Sequence, residues 1–283
     1  MTAARIHAHG GPEVLTVDRI PVPTPAPGQV RIRVTAAALN NTDLWTREGA
    51  YGTPDDPDAA TGWIGPIGFP RVQGGDAAGY VDAVGSGVDD TLLGSRVVVD
   101  PAHYDSEHDD ALPVRILGSE YDGGYAQYVV VDEADVHRVD DSPLSDAQLA
   151  ALPIAFGTAM GMIERAGVST NDVIVVTGAS GGVGVALVQL AVARGADVIA
   201  VCSASKADGV RALPECVGLV LRCRAAKTVH LKGTPPSASN VVEAHPSNCL
   251  RALVVRGWRT AAFAACPSSK LFESRRHLEP RQP

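Results

Sequence analysis

The stretch VVTGASGGVG, Val175–Gly184, sets four glycines and two small polar residues directly after a run of valines. This is the composition of an anion cradle. Gly178 allows a tight turn out of a strand, Gly181 and Gly182 let the main chain approach a phosphate, and Gly184 lets a helix pack closely on its strand. Ser180 and Val183 complete the set of candidate contacts, and a helix opening here presents free N–H groups and a partial positive charge. A glycine cluster alone is weak. Between an apolar strand and an apolar helix it reads as a dinucleotide pyrophosphate site rather than a structural turn.

The dinucleotide is read at the end of the next strand. An NAD site places a carboxylate on the ribose hydroxyl about 20 residues on. Here the text is VCSASK, with Cys202 and Ser203 at that place and Lys206 just beyond. Two serines and a lysine suit a 2′-phosphate, which favours NADPH over NADH; the plainer reading of Lys206 is a solvated lysine at a helix start. A second stretch, HYDSEHDD, gathers His103, Glu107, His108 and three aspartates. It could meet a cation, but a solvated acidic loop is the better reading.

The elements that hold these groups follow from periodicity. The first 140 residues read as β-rich. QVRIRV puts Val30, Ile32 and Val34 on one face and Arg31 and Arg33 on the other, and similar runs recur at AAGYVDAVG, SRVVVD and AQYVVVDEADV. Such short strands between Gly, Pro and Asp turns suggest a small barrel or sandwich. The pattern changes near Ser142. SPLSDAQLAAL and AFGTAMGMIERAG read as helices, and NDVIVV, the glycine turn, VGVALVQLAVARG and ADVIAVC make a strand–helix–strand unit of a parallel sheet. In that helix Val183, Leu187, Leu190 and Ala191 fall on one face.

Net charge is −8, which disfavours nucleic acid and anionic membranes as partners. No apolar run reaches the ~18 residues of a membrane span, and the N-terminus lacks the pattern of a signal peptide. A cytoplasmic protein acting on a small molecule is expected, its five cysteines reduced because they form no CxxC pair.

TGASGGVG also fits the loop of short-chain dehydrogenases, but those follow it with a Tyr-x-x-x-Lys pair, and here the last tyrosine is Tyr128. The markers GGPEVL, PAPGQVRIRV, NNTDLW, GGDAAGYVDAVGSGV, GSRVVV, DGGYAQYVVV and the late glycine loop instead resemble the medium-chain dehydrogenase/reductase superfamily over about residues 5–218. The resemblance implies a GroES-like barrel domain (1–141) followed by a truncated Rossmann domain, a doubly wound parallel sheet, over 142–218. It also implies hydride transfer in the cleft between them. Zinc members carry Cys, His and Cys where this chain has Asn40, Gly75 and Ile154, and residues 85–125 contain no cysteine for a structural zinc lobe. No metal is expected.

Retention of the fold without zinc resembles the quinone oxidoreductase branch. That likeness assigns Asn40, Asp43 and Tyr51 of NNTDLWTREGAY to the catalytic site lining the nicotinamide and substrate cleft, with Asn40 hydrogen-bonding near the nicotinamide or substrate carbonyl. Tyr51 would polarise that carbonyl or donate a proton, and Thr158 would lie near the nicotinamide. The plainer readings are that Asp43 caps or orients a turn and that Tyr51 is a packing residue. The implied activity is NADPH-dependent reduction of a quinone, enone or similar activated carbonyl; the alternatives are a non-catalytic remnant or binding module, and a zinc alcohol dehydrogenase.

Residues 219–283 break the pattern. They carry 11 Lys and Arg against 3 Glu and no Asp, whereas residues 1–218 carry 13 against 29. This basic tail matches nothing in the family and reads as a different reading frame or a disordered segment. The homodimer that the family implies is in doubt because its usual interface region has no counterpart. Weak cofactor binding and poor stability are expected for this chain.

Overall fold

Alternation decides the first half of the chain. Val30 and Ile32 are fully buried, while Arg31 turns to the other face to pair with Asp82 and Arg33 lies over the Tyr80 ring. The computed structural model describes residues 1–53, 56–106, 111–170, 172–213, 218–221, 250–256 and 259–265. Outside them fall Glu107, His108, Asp109 and Asp110 of the acidic stretch, much of the basic tail, and Cys216, Cys223, Cys249 and Cys266.

The first unit contains β1 (Thr2–Ile6), β2 (Leu15–Arg19), β3 (Gln29–Ala36), α1 (Asn41–Glu48), β4 (Arg71–Val72), β5 (Ala78–Val84), β6 (Arg96–Val99), β7 (Ala102–Tyr104), β8 (Pro113–Ile116), β9 (Tyr128–Asp132) and β10 (Val136–Arg138). The main sheet runs β10-β6-β5-β3-β9, beside a sheet β2-β1-β4 and the pair β7-β8. β3 is antiparallel to both β5 and β9, which sets Val30 opposite Val84 on one side and Val131 on the other. Val30, Ile32, Val81, Val97, Val99, Val129 and Val131 close into one cluster with Leu117. Each such side chain contributes about 1.5–3 kcal/mol on burial.

Helix α2 (Asp146–Ala150) starts where Ser145 Oγ accepts the Gln148 N–H at 3.3 Å. Its Leu149 and Ala150 pack with Ala78 of β5. Composition changes near Ser142, but these contacts keep α2 with the strands: the first compact unit runs Met1–Gly157 and the second begins at Thr158, within α3 (Pro153–Ala166).

The second unit has the expected strand, glycine turn, helix and strand: β11 (Val173–Thr177), α4 (Gly182–Ala193) and β12 (Asp197–Cys202), followed by α5 (Ala207–Arg211) and β13 (Gly218–Leu221). β11, β12 and β13 are parallel. Helix α4 is covered on more than the expected face. Leu187 and Ala191 are buried, but so are Ala186 and Val188, while Val183 and Leu190 are half-buried. A helix apolar nearly all round has no single inward stripe.

The tail departs from expectation in one respect. Its apolar pieces LRALVV and AAFAAC have no readable place in the sequence, yet β14 (Leu250–Arg256) runs antiparallel along β11, from Val173↔Val255 to Val176↔Ala252, and β15 (Arg259–Ala265) pairs with β14. The sheet order is β13-β12-β11-β14-β15. The N–H and C=O groups on that edge of β11 are thereby paired. Among the described residues no helix is long and apolar enough to cross a membrane.

Candidate active site

The site in the first unit is built on the start of α1. Asn40 is its N-cap, in extended conformation, and Asp43 is the third helical residue; the two form a capping box in which Asp43 Oδ2 accepts the Asn40 main-chain N–H at 2.8 Å. Asp43 does more than cap. Its Oδ1 accepts the Gly75 N–H at 3.0 Å and its Oδ2 the Tyr125 hydroxyl at 2.6 Å, while its carbonyl accepts Gln73 Nε2 at 2.9 Å. A local turn signal is thus also the joint between α1, the segment after β4 and the segment before β9.

Asp76 forms the second half of the cluster. It is fully buried, and its Oδ2 accepts Asn40 Nδ2 at 2.8 Å while its Oδ1 accepts the Ile154 N–H, in the first turn of α3, at 2.8 Å. Burial pushes the Asp76 carboxyl up to about 6, the charge on Asp43 adds to this, and the Asn40 and Ile154 donors oppose it. Burial also raises Asp43, against the pull of Tyr125 and the N–H groups of Asn40 and Gly75. Among the described residues no cationic side chain contributes to either shift. The Tyr125 hydroxyl is raised by burial and then by Asp43, so it stays a neutral donor.

Tyr51 sits apart from this hydrogen-bonded group. It is buried, edge-on to Trp45 at 6.1 Å and tilted against Trp63 at 6.5 Å, and its hydroxyl is bonded to Thr42 of α1. Burial raises its hydroxyl, with smaller contributions from Asp43 and Glu120. Tyr51 therefore meets the Asn40–Asp43 segment through Thr42.

The three positions that carry zinc ligands in the resembled enzymes do converge. Asn40 and Ile154 share Asp76, and a Cβ added at Gly75 would lie 3.1 Å from Ile154 Cδ1. The donor set does not fit zinc: Gly75 has no side chain, Ile154 is hydrocarbon, and the oxygens of Asp43 and Asp76 already receive N–H and O–H donors. Elsewhere in this unit His103 Nδ1 lies 3.2 Å from Asp135 Oδ1 and 3.7 Å from Asp132 Oδ2. Arg115 is paired with the same Asp132 oxygen, so these residues form an ion-pair network between β7, β8 and the β9–β10 corner.

The glycine loop in the second unit has the geometry its sequence requires. Gly178 leaves β11 with φ +64°, in the left-handed region, and Ala179 N–H is anchored on Val201 O of β12 at 3.1 Å. A Cβ on Gly184 would sit 2.3 Å from Gly178 O, so only glycine lets α4 approach the turn this closely. Gly181, the N-cap of α4, and Gly182 are exposed, and a Cβ on Gly181 would meet nothing nearer than 3.4 Å. Packing does not demand glycine there; an approaching ligand would. Ser180 and Val183 flank this open end half-buried. After β12, Ser203 and Lys206 are exposed beside Ser205, Ser203 Oγ lying 3.3 Å from Ser205 Oγ. Asp208, the nearest following carboxylate, is paired with Arg211 at 2.8 Å. Thr158, half-buried on α3, belongs to this second unit, whereas Asn40, Asp43 and Tyr51 belong to the first.

Sequence reasoning missed Asp76, Tyr125 and Gln73 as members of the cluster. The available signal was the run GGDAAG, which places a carboxylate between glycines and an apolar strand, where it must be buried and therefore bonded.

Residues 26–141 match the alcohol dehydrogenase GroES-like domain. The chain is 34% identical over 208 residues to an NADPH-dependent alkenal/one oxidoreductase, chloroplastic, of Arabidopsis thaliana, covering 72% of this chain and 48% of the relative. It is 31% identical over 201 residues to the quinone oxidoreductase of Homo sapiens, covering 70% and 52%. A solved structure from Sinorhizobium meliloti 1021, provisionally described as an alcohol dehydrogenase, superposes with a TM-score of 0.73 at 44% identity, covering 78% of this chain and 62% of that one. The chain spans about half the length of the curated relatives it matches.

Proposed function

Because this chain belongs to the medium-chain dehydrogenase/reductase superfamily, in its quinone oxidoreductase-like branch, we propose that it is an NADPH-dependent oxidoreductase that reduces a quinone, an enone or a similarly activated carbonyl without zinc. The observation that carries the cofactor half is the open end of α4: exposed Gly181 and Gly182 follow a turn whose tightness only Gly184 permits. Exposed Ser203 and Lys206, with no carboxylate directly after β12, favour the 2′-phosphate.

When bound, the reduced nicotinamide supplies a hydride. The chain's own residues bind, orient and polarise. Asn40, half-buried beside the buried Asp43 and Asp76, donates from its carboxamide to the acceptor oxygen as negative charge develops there. Asp43 holds Asn40, Gly75 and Tyr125 in place and touches no reactant. Tyr51, tied to Thr42, is the candidate second donor or proton source, and Thr158 lines the nicotinamide. Polarisation by an amide is modest, which suits quinones and enones rather than unactivated alcohols.

One observation favours a second reading, binding without turnover. Folds of this class set parallel strands on both sides of the loop-bearing strand, whereas β14 is antiparallel to β11. Parallel titrations with NADPH and NADH, followed by turnover with a simple quinone, separate the readings. NADPH preference with quinone reduction supports the reductase. NADPH binding without turnover supports the second reading, and no binding of either nucleotide rejects both.

A further inference from the structure

We propose that Asp76 is a positioning residue for the reaction: its buried carboxylate fixes the Asn40 carboxamide so that one N–H remains, aimed outward, as the donor for the acceptor oxygen. This rests on the role proposed for Asn40 and extends it to a residue outside the Asn40–Tyr51 motif.

An ionised carboxylate can only accept hydrogen bonds, so the atom of Asn40 that faces it must be Nδ2 and not Oδ1. The 2.8 Å contact between Asn40 Nδ2 and Asp76 Oδ2 has that sense. The Asn40 main chain is fixed independently, its N–H on Asp43 Oδ2 at 2.8 Å and its carbonyl on the Asp43 N–H at 3.2 Å, so the side chain starts from a held backbone. Of the four hydrogen-bonding positions of a carboxamide, the one left over that can serve a carbonyl is the second Nδ2 hydrogen. Asp76 is itself immobilised, because its other oxygen holds the Ile154 N–H at 2.8 Å and no part of it reaches solvent. Of the other donors in the cluster, the Tyr125 hydroxyl is committed to Asp43 at 2.6 Å, and Gln73, with one Nε2 hydrogen on the Asp43 carbonyl at 2.9 Å, is buried. Asn40, half-buried, is the member that connects the buried pair of carboxylates to a ligand.

Asp76→Asn keeps the shape and removes this logic. The new amide has one acceptor where two are needed: its NH2 either confronts Asn40 Nδ2 and releases that carboxamide, or confronts the Ile154 N–H and frees residue 76 from the contact that immobilises it. The expected result is a kcat with quinone or enone lowered about ten- to a hundredfold, the scale of a hydrogen bond to a charged group. KM for NADPH should stay within about twofold. Added to Asn40→Ala, the substitution should cost nothing further, because the two act as one unit. A nitrogen-15 spectrum of the wild-type protein gives a readout free of turnover: one Asn40 side-chain N–H proton, identified by its loss in Asn40→Ala, should exchange slowly with solvent, and the protection should vanish in Asp76→Asn. An unprotected Asn40 amide in the wild type, an unchanged kcat in Asp76→Asn, or additive losses in the double variant would each overturn the proposal. If Asp76→Asn does not fold, wild-type protection decides it. If the wild-type protein turns over no acceptor, the reductase reading fails, and amide protection alone decides whether Asp76 holds Asn40.

Discussion

Replacing Asp43 by alanine removes the acceptor for three donors at once, one buried and two half-buried. The Asn40 N–H, the Gly75 N–H and the Tyr125 hydroxyl, bonded at 2.8, 3.0 and 2.6 Å, would all lose their partner. An orphaned buried donor costs about 1–3 kcal/mol. The sum is reduced because the Asp43 carboxylate is held ionised against its burial, as its raised pKa shows, and that cost disappears with the side chain. A net loss of about 3 kcal/mol follows, which for a unit of this size lowers Tm by about 6–12 °C. Asp43→Asn keeps one acceptor oxygen and turns one NH2 against a donor, so it should cost about half as much. Urea unfolding followed by the fluorescence of Trp45 and Trp63, both in this unit, measures the two variants. A loss below about 1 kcal/mol in Asp43→Ala, or a larger loss in Asp43→Asn than in Asp43→Ala, would show that Asp43 is not the joint of the site.

Three further outcomes are expected. Asp76 titrates at about 6 in the folded protein, against 3.8 for an unperturbed aspartate; between those pH values the folded state binds more protons, so its contribution to stability is greatest at low pH and is lost as pH rises through 6. That contribution is about 3 kcal/mol, and in Asp76→Asn the corresponding change in Tm between acid and neutral pH should disappear. Gly184→Ala puts a methyl 2.3 Å from Gly178 O, displacing α4 and weakening NADPH binding by at least about tenfold, measured by titration. Lys206→Ala should weaken NADPH about three- to tenfold and leave NADH unchanged; equal effects on both would assign Lys206 to solvent.

What was legible in the sequence was local. Val30 and Ile32 show their burial by alternation, and the loop from Gly178 to Gly184 shows its turn, its helix start and its close approach within a few letters. The capping relation of Asn40 and Asp43 is also a short-range signal, confined to the first turn of α1. What stayed hidden depends on partners far apart in the chain. Asp76 joins Asn40 across 36 residues and Ile154 across 78, and Tyr125 joins Asp43 across 82, so no periodicity announces them. Tyr51 is the mixed case: its residue type suggests chemistry, while burial between Trp45 and Trp63 is set by tertiary packing. The apolar pieces of the basic tail carry too little pattern to choose a partner, and the edge of β11 chooses for them.

The central claim is that an amide held by a buried carboxylate, and no metal, polarises the acceptor. Oxidation of NADPH by a simple quinone, measured on protein stripped with a chelator and beside Asn40→Ala, tests it most directly. The account predicts turnover that survives chelation and falls at least about tenfold in Asn40→Ala. Turnover that appears only when zinc is restored, or that is indifferent to Asn40, would contradict it.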